Sequence, residues 1–206
     1  MSLADILNDL TGGDDSLAEA AAQSLSGLPG VVQLEAFTAL LALLASPEVD
    51  RRWWAVRALA ELPVSGTHIL LTQALKDPDP SIRQSAALGL RAQIMRMSDW
   101  RPAPATLEAL LLALLAGLKD PDPLAARLAA DALMAIGEPA VPHLLELLDQ
   151  GDHAVRLLLV RILAKIGDPR AIPALFAALD GDSLMMEYWA NEGLEKMGVG
   201  MTYFFP

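Results

Sequence analysis

Apolar positions recur along this chain in a single frame with a period of about 30 residues. Six anchor positions, Ala18, Arg52, Arg83, Ala126, Arg156 and Glu187, define the frame. Seven residues after each stands a leucine: Leu25, Leu59, Leu90, Leu133, Leu163 and Leu194. Eight residues before each stands another: Leu10, Leu44, Leu75, Leu118, Leu148 and Leu179. Four residues before lie Asp14, Glu48, Asp79, Asp122, Asp152 and Ser183. The anchors are 34, 31, 43, 30 and 31 residues apart. Apolar residues three, four and seven apart mark one face of a helix. A period of this length predicts stacked helix pairs, since no single pair can bury its apolar face alone.

Each copy splits into two helices. The first ends near the leucine that precedes the anchor, as over 34–44 and 107–118. The second opens after a short acidic turn, such as Asp77-Pro78-Asp79-Pro80 or Asp120-Pro121-Asp122-Pro123. Proline suits the first helical turn, where its missing N–H would be unpaired anyway. Aspartate there can cap the helix and favours the positive end of its dipole. Gly137, Gly167 and Gly198 are read as left-handed stops of second helices. The pattern predicts one all-α domain over 1–206, with pairs at 1–29, 30–64, 65–94, 105–137, 138–167 and 168–198. The spacing of 43 marks an insertion loop at 95–104, which includes Trp100-Arg101-Pro102-Ala103-Pro104, and a tail follows at 199–206.

The same frame sorts each second helix into faces. Positions one before and three, six and seven after the anchor are small or apolar, as in Val155, Leu159, Ile162 and Leu163, and are expected to pack inward. Positions one, two and five after the anchor then point away from the core. An array with only structural demands would place polar residues there. This one places Trp53, Trp54, Leu88, Leu128, Leu157, Leu158, Tyr188 and Trp189 there, with Arg57, Arg127 and Arg161 among them. One reading packs one of these rows against the neighbouring second helix. The other makes them a partner-binding groove, since apolar patches rimmed by charge mark interaction sites and Trp, Tyr and Arg are enriched in hot spots. In the tail, Tyr203, Phe204 and Phe205 are read either as a cap on the last pair or as an interaction motif.

The chain is 53% hydrophobic and only 5% aromatic, and carries a net charge of -11. Leucine and alanine supply the apolar content, which favours helix. The acidic balance disfavours phosphate backbones and anionic membrane surfaces. Without cysteine there is no disulfide, no thiolate metal site and no cysteine nucleophile. Residues 1–15 lack the basic flank and apolar run of a signal peptide. The longest apolar run, 109–118, is too short to span a bilayer.

The frame resembles the HEAT repeat family, whose second helix opens with Asp-x-x-Val-Arg. Asp152 to Arg156 match it in full, and Asp79 to Arg83 match with Ile82 in the valine position. The short period and Gly167-Asp168-Pro169-Arg170-Ala171-Ile172-Pro173-Ala174-Leu175 resemble the phycobilisome-lyase-type HEAT-like subfamily. The resemblance implies a right-handed α-solenoid of about six helix pairs, with second helices lining the concave side. It also implies that Arg52, Arg83 and Arg156 belong to a structural ladder with the repeat aspartates, weaker at Ala18, Ala126 and Glu187. Members are mostly binding scaffolds, and a minority attach or detach bilin chromophores.

Catalytic signals are sparse. His143 and Glu146 share a helix face near Asp149, Asp152 and His153, but the repeated His-Glu dipeptides of HEAT-like di-iron enzymes are absent, and His68 stands alone. No Ser-His-Asp order, glycine-rich phosphate loop or metal set is found. The leading expectation is therefore a non-enzymatic, cytoplasmic scaffold that binds a protein or peptide on its concave face. It needs no cofactor, metal, nucleic acid or membrane, and a homodimer through the groove or tail is allowed. The alternative is a bilin lyase or chromophore-handling subunit, whose groove arginines would meet the two propionates of a tetrapyrrole. A third reading, a HEAT-like DNA glycosylase-type binder suggested by Trp53-Trp54, is opposed by the charge.

Overall fold

The computed structural model of the chain describes residues 2–96, 102–148, 150–180 and 183–199. Among these residues there are twelve α-helices and no strand. The chain divides into two compact units, Met1–Leu114 and Leu115–Pro206.

In the first unit, α1 (Leu3–Thr11) opens on a capping box: Asp5 N–H donates to Ser2 Oγ, and Ser2 N–H donates back to the Asp5 carboxylate. Helix α2 (Asp15–Ser24) is capped by Asp14, which accepts from the amides of Ser16 and Leu17 at 2.9 and 3.1 Å. Then follow α3 (Gly30–Leu44), α4 (Val49–Glu61), α5 (Thr67–Ala74), α6 (Pro80–Arg96) and α7 (Pro104–Gly117), the unit boundary falling within α7. Helix α4 packs against α1, α2, α3, α5 and α6. The frame leucines Leu10, Leu25, Leu59 and Leu90 are fully buried.

The second unit holds α8 (Pro123–Ile136), α9 (Val141–Leu148), α10 (His153–Ile166), α11 (Ile172–Leu179) and α12 (Leu184–Lys196). Asp122 caps α8 by accepting from Ala125 N–H at 2.7 Å, and Asp152 caps α10 by accepting from Val155 N–H at 2.9 Å. Helix α10 packs against α8, α9, α11 and α12. Val155, Leu159, Ile162 and Leu163 all face inward and are buried.

Local details depart from the sequence expectations. Glu48 makes no side-chain cap to α4; its longer carboxylate turns to Arg51 at 3.0 Å instead. Gly167 is left-handed (φ 73°, ψ 33°), but Gly137 combines φ 77° with ψ -138°, a region open essentially to glycine. The insertion is shorter than 95–104: Met95 and Arg96 form the last turn of α6, and Pro104 opens α7. Trp100 and the tail residues Tyr203, Phe204 and Phe205 lie outside the described residues.

The arginine ladder is uneven. Arg52 forms a two-pronged pair with Asp77 at 2.9 and 3.1 Å and donates to the carbonyls of Ser46 and Pro47. Arg83 donates to the carbonyls of Asp77 and Pro78, both at 3.0 Å. Arg156, in the copy with the full motif, is exposed and makes no side-chain hydrogen bond or ion pair among the described residues.

Candidate functional site

The second helices place the singled-out side chains at or near the surface, and none of the eleven on α4, α6, α8, α10 and α12 is buried. Leu88, Arg127 and Tyr188 are exposed, and the other eight are half-buried. In each unit one aromatic dipeptide dominates.

In the second unit the centre is Tyr188–Trp189 on α12. Their rings meet edge to face, 5.0 Å between centroids. From α10, the Arg161 guanidinium stands 5.7 Å and the Lys165 ammonium 5.0 Å from the Trp189 ring centroid. Cations over an indole are drawn to its negative face. Both cations are also held by carboxylates: Arg161 Nη2 donates to Asp131 at 3.0 Å, and Lys165 pairs with Glu192. Arg127 on α8 is exposed and has no ion-pair partner among the described residues. With Leu128, Leu157 and Leu158 half-buried on α8 and α10, this unit presents a ring pair, three leucines and three cations.

In the first unit the centre is Trp53–Trp54 on α4, with rings 4.7 Å apart and nearly perpendicular. They line a cavity of about 820 Å³ whose rim carries Asp15, Glu19, Glu48 and Asp50, with Arg51 as its cation. Arg57, expected inside a groove, is held between Glu19 and Glu61. Burial works against its charge, but the two carboxylates hold its pKa above the ordinary value. Burial likewise works against the Glu61 charge, and Arg57 and Arg96 outweigh it, leaving that carboxyl below its usual range. Of the arginines expected in the groove, Arg57 and Arg161 are ion-paired. Each already neutralises a carboxylate from the neighbouring pair, and the rim beside the tryptophans is acidic.

Lys165 lies nine residues after its anchor, outside the rows one, two and five after it. Its repeat position, two turns beyond Leu158, was the available signal. Among the described residues no cluster of three or more His, Cys, Asp or Glu could hold a metal ion. Among the same residues no helix is long and apolar enough to cross a membrane.

The family model of HEAT repeats matches residues 37–113 and 111–195. Phycocyanobilin lyase subunit beta of Pseudanabaena tenuis is 36% identical over 104 residues, half of this chain and 36% of that protein. The uncharacterized phycocyanin operon protein Z of the same organism is 28% identical over 78% of each chain. Among solved structures, the complex of CpcE and CpcF of phycocyanin lyase from Nostoc shares the fold at a TM-score of 0.50 and 23% identity, over 96% of this chain and 77% of that one. The chain spans about a third of the length of the curated relatives it matches first. These findings overturn the expectation of a non-enzymatic scaffold, because relatives in three organisms are named lyase subunits. Its repeat frame, its helices and the family model over most of its length together make the chain an all-α solenoid that belongs to the HEAT repeat family.

Proposed function

We propose that this chain is a bilin lyase or chromophore-handling subunit working with a protein partner, and that the face of α8, α10 and α12 meets the tetrapyrrole. Sequence similarity to phycocyanobilin lyase beta subunits carries the reading. The chemistry of the face supports it. A tetrapyrrole with two propionates offers an extended apolar π-system and two carboxylates. Tyr188 and Trp189 supply rings to stack on, and Leu128, Leu157 and Leu158 supply apolar surface. Arg127, Arg161 and Lys165 supply cations; Arg161 and Lys165 would exchange or share Asp131 and Glu192 with the propionates. With no cysteine in the chain, the bilin is held here by non-covalent contacts.

The word subunit in the relatives' names supports a protein partner. The cavity beside Trp53 and Trp54, rimmed by carboxylates, suits a partner segment that brings basic or N–H groups. Arg57 and Leu88 lie on the same second-helix rows of that unit. In this reading the subunit works in the cytoplasm, without nucleic acid.

The test is optical. Phycocyanobilin is mixed with the chain alone, and then with the chain plus a second lyase subunit and a bilin-accepting protein. The expected results are a shifted, sharpened bilin absorption band and a change in the amount of bilin attached to the acceptor. An unchanged spectrum together with unchanged attachment would overturn the reading.

A further inference from the structure

We propose that a second cavity of the first unit, walled by α5, α6 and the 62–66 turn, binds a neutral, largely apolar ring compound that donates an N–H, such as a lactam, a pyrrole or an indole. The proposal does not rest on the bilin reading. It starts from Gln93, a buried polar side chain on α6 with 7% of its surface exposed. Its amide nitrogen donates to the Leu59 carbonyl at 2.9 Å and to Thr67 Oγ1 at 3.0 Å. The Thr67 hydroxyl spends its own proton on the Val64 carbonyl, also at 3.0 Å.

These three bonds fix the amide orientation chemically. The Leu59 carbonyl can only accept, and the Thr67 oxygen has already donated, so both must face N–H groups. Both amide protons of Gln93 are therefore used by the protein. The remaining group, Oε1, accepts no hydrogen bond among the described residues and is not sealed from solvent. An acceptor held this way selects its ligand. A ring that covers it without donating leaves it desolvated and unpaired, whereas an N–H donor satisfies it.

The surroundings define the rest of the ligand. Gln93 lines a cavity of about 860 Å³ walled by Leu62, Pro63, Val64, Ile69, Pro102 and Ala103. Small-molecule sites span about 300–1,000 Å³ and combine apolar walls with a few placed polar groups. The cation on the rim is committed: Arg96 donates through Nε to Ala92, through Nη1 to Glu61 at 2.7 Å, and through Nη2 to the Ala60 carbonyl. Burial lowers the pKa of His68, which favours its neutral form. An anion would find no uncommitted positive charge, and a cation would meet only a carboxylate already shared by two arginines.

Indole serves as the probe and 1-methylindole as its control, titrated into the full chain and followed by NMR of the Gln93 side-chain amide and the Ile69 methyl groups. Indole is expected to move both signals, and 1-methylindole, which lacks the N–H, to bind about fivefold more weakly. Ile69 is 45% exposed and lines the cavity, so Ile69→Trp can occupy part of it; it is expected to weaken indole about tenfold at an unchanged melting temperature. A Gln93 amide signal unmoved up to the solubility limit of indole, equal binding of the two indoles, or undiminished binding to Ile69→Trp would each overturn the proposal.

Discussion

Single side chains in this protein are defined by what already occupies them. Trp189 is touched by Tyr188, Arg161 and Lys165 at once, so its ring is the residue on which the proposed bilin face turns. Trp189→Ala is expected to weaken the bilin-induced spectral shift about tenfold or more, measured by titration at 25 °C. A shift of unchanged amplitude and midpoint would exclude this ring from the contact. A second prediction concerns Asp168, buried under Arg170, whose guanidinium donates to it at 2.6 and 2.9 Å. The Arg170 hydrogen bonds hold its carboxyl below the ordinary range. A depressed carboxyl gives stability that is fully present above the unfolded value of about 4 and is lost as pH falls through the folded value. Circular-dichroism melts should therefore lose stability below about pH 4, and Asp168→Asn should flatten that slope. That these side chains lie at or near the surface was legible in the sequence, because the helix period separates their rows from the buried ones. Their electrostatic state was legible only in part. Arg161 and Asp131 lie 30 residues apart, one repeat spacing, and Arg57 reaches Glu19 across 38. Asp131 and Arg161 are successive members of one row, five after their anchors, so the row itself offers that pair; Arg57 instead crosses to Glu19, one after its anchor, and such a diagonal depends on the three-dimensional offset of neighbouring helices.

At the scale of helices, two close approaches set the packing. A Cβ built on Gly193 of α12 would lie 2.7 Å from Ala164 Cα and Cβ on α10, and one on Gly89 of α6 would lie 2.8 Å from Ala60 Cβ on α4. Gly193→Ala gains about 1 kcal/mol of helix propensity. It meets backbone that cannot move aside, so overpacking of about 1–3 kcal/mol should dominate. A melting temperature several degrees lower is expected, at about 2–4 °C per kcal/mol for a chain of this size; an unchanged or higher value would show that α10 and α12 separate at little cost. The Arg52–Asp77 pair is the corresponding polar clamp, with 13% and 12% of the two side chains exposed. Arg52→Ala should cost about 1–3 kcal/mol by stranding Asp77 and two carbonyls. Arg52→Lys should recover only part of it, since an ammonium lacks the two-pronged geometry. The helices themselves were readable from the period, the caps and the glycines. The uneven ladder was not, because Arg156 sits in the copy with the full motif and yet makes no side-chain hydrogen bond or ion pair among the described residues.

For the whole chain, the net charge of -11 and the local cations of the second unit act on an anionic bilin in opposite directions. Acidic residues outnumber basic ones in both units, 13 to 8 and 13 to 7, so the opposing field is not confined to one of them. Long-range repulsion between exposed charges is screened beyond about 10 Å at 0.1 M salt, and contacts at the face are screened much less. The two contributions therefore separate by ionic strength. If Arg127, Arg161 and Lys165 hold the propionates at contact distance, raising salt from about 0.01 to 0.15 M should speed bilin uptake by relieving the approach, with little change in the final spectral shift. Stopped-flow absorbance reads the rate, and an equilibrium titration reads the affinity. An association rate that falls steeply with salt would mean that the cations steer the ligand through solvent over the acidic background. An equilibrium shift lost at 0.15 M would mean that the propionates never reach the partly buried Arg161–Asp131 pair beside Trp189.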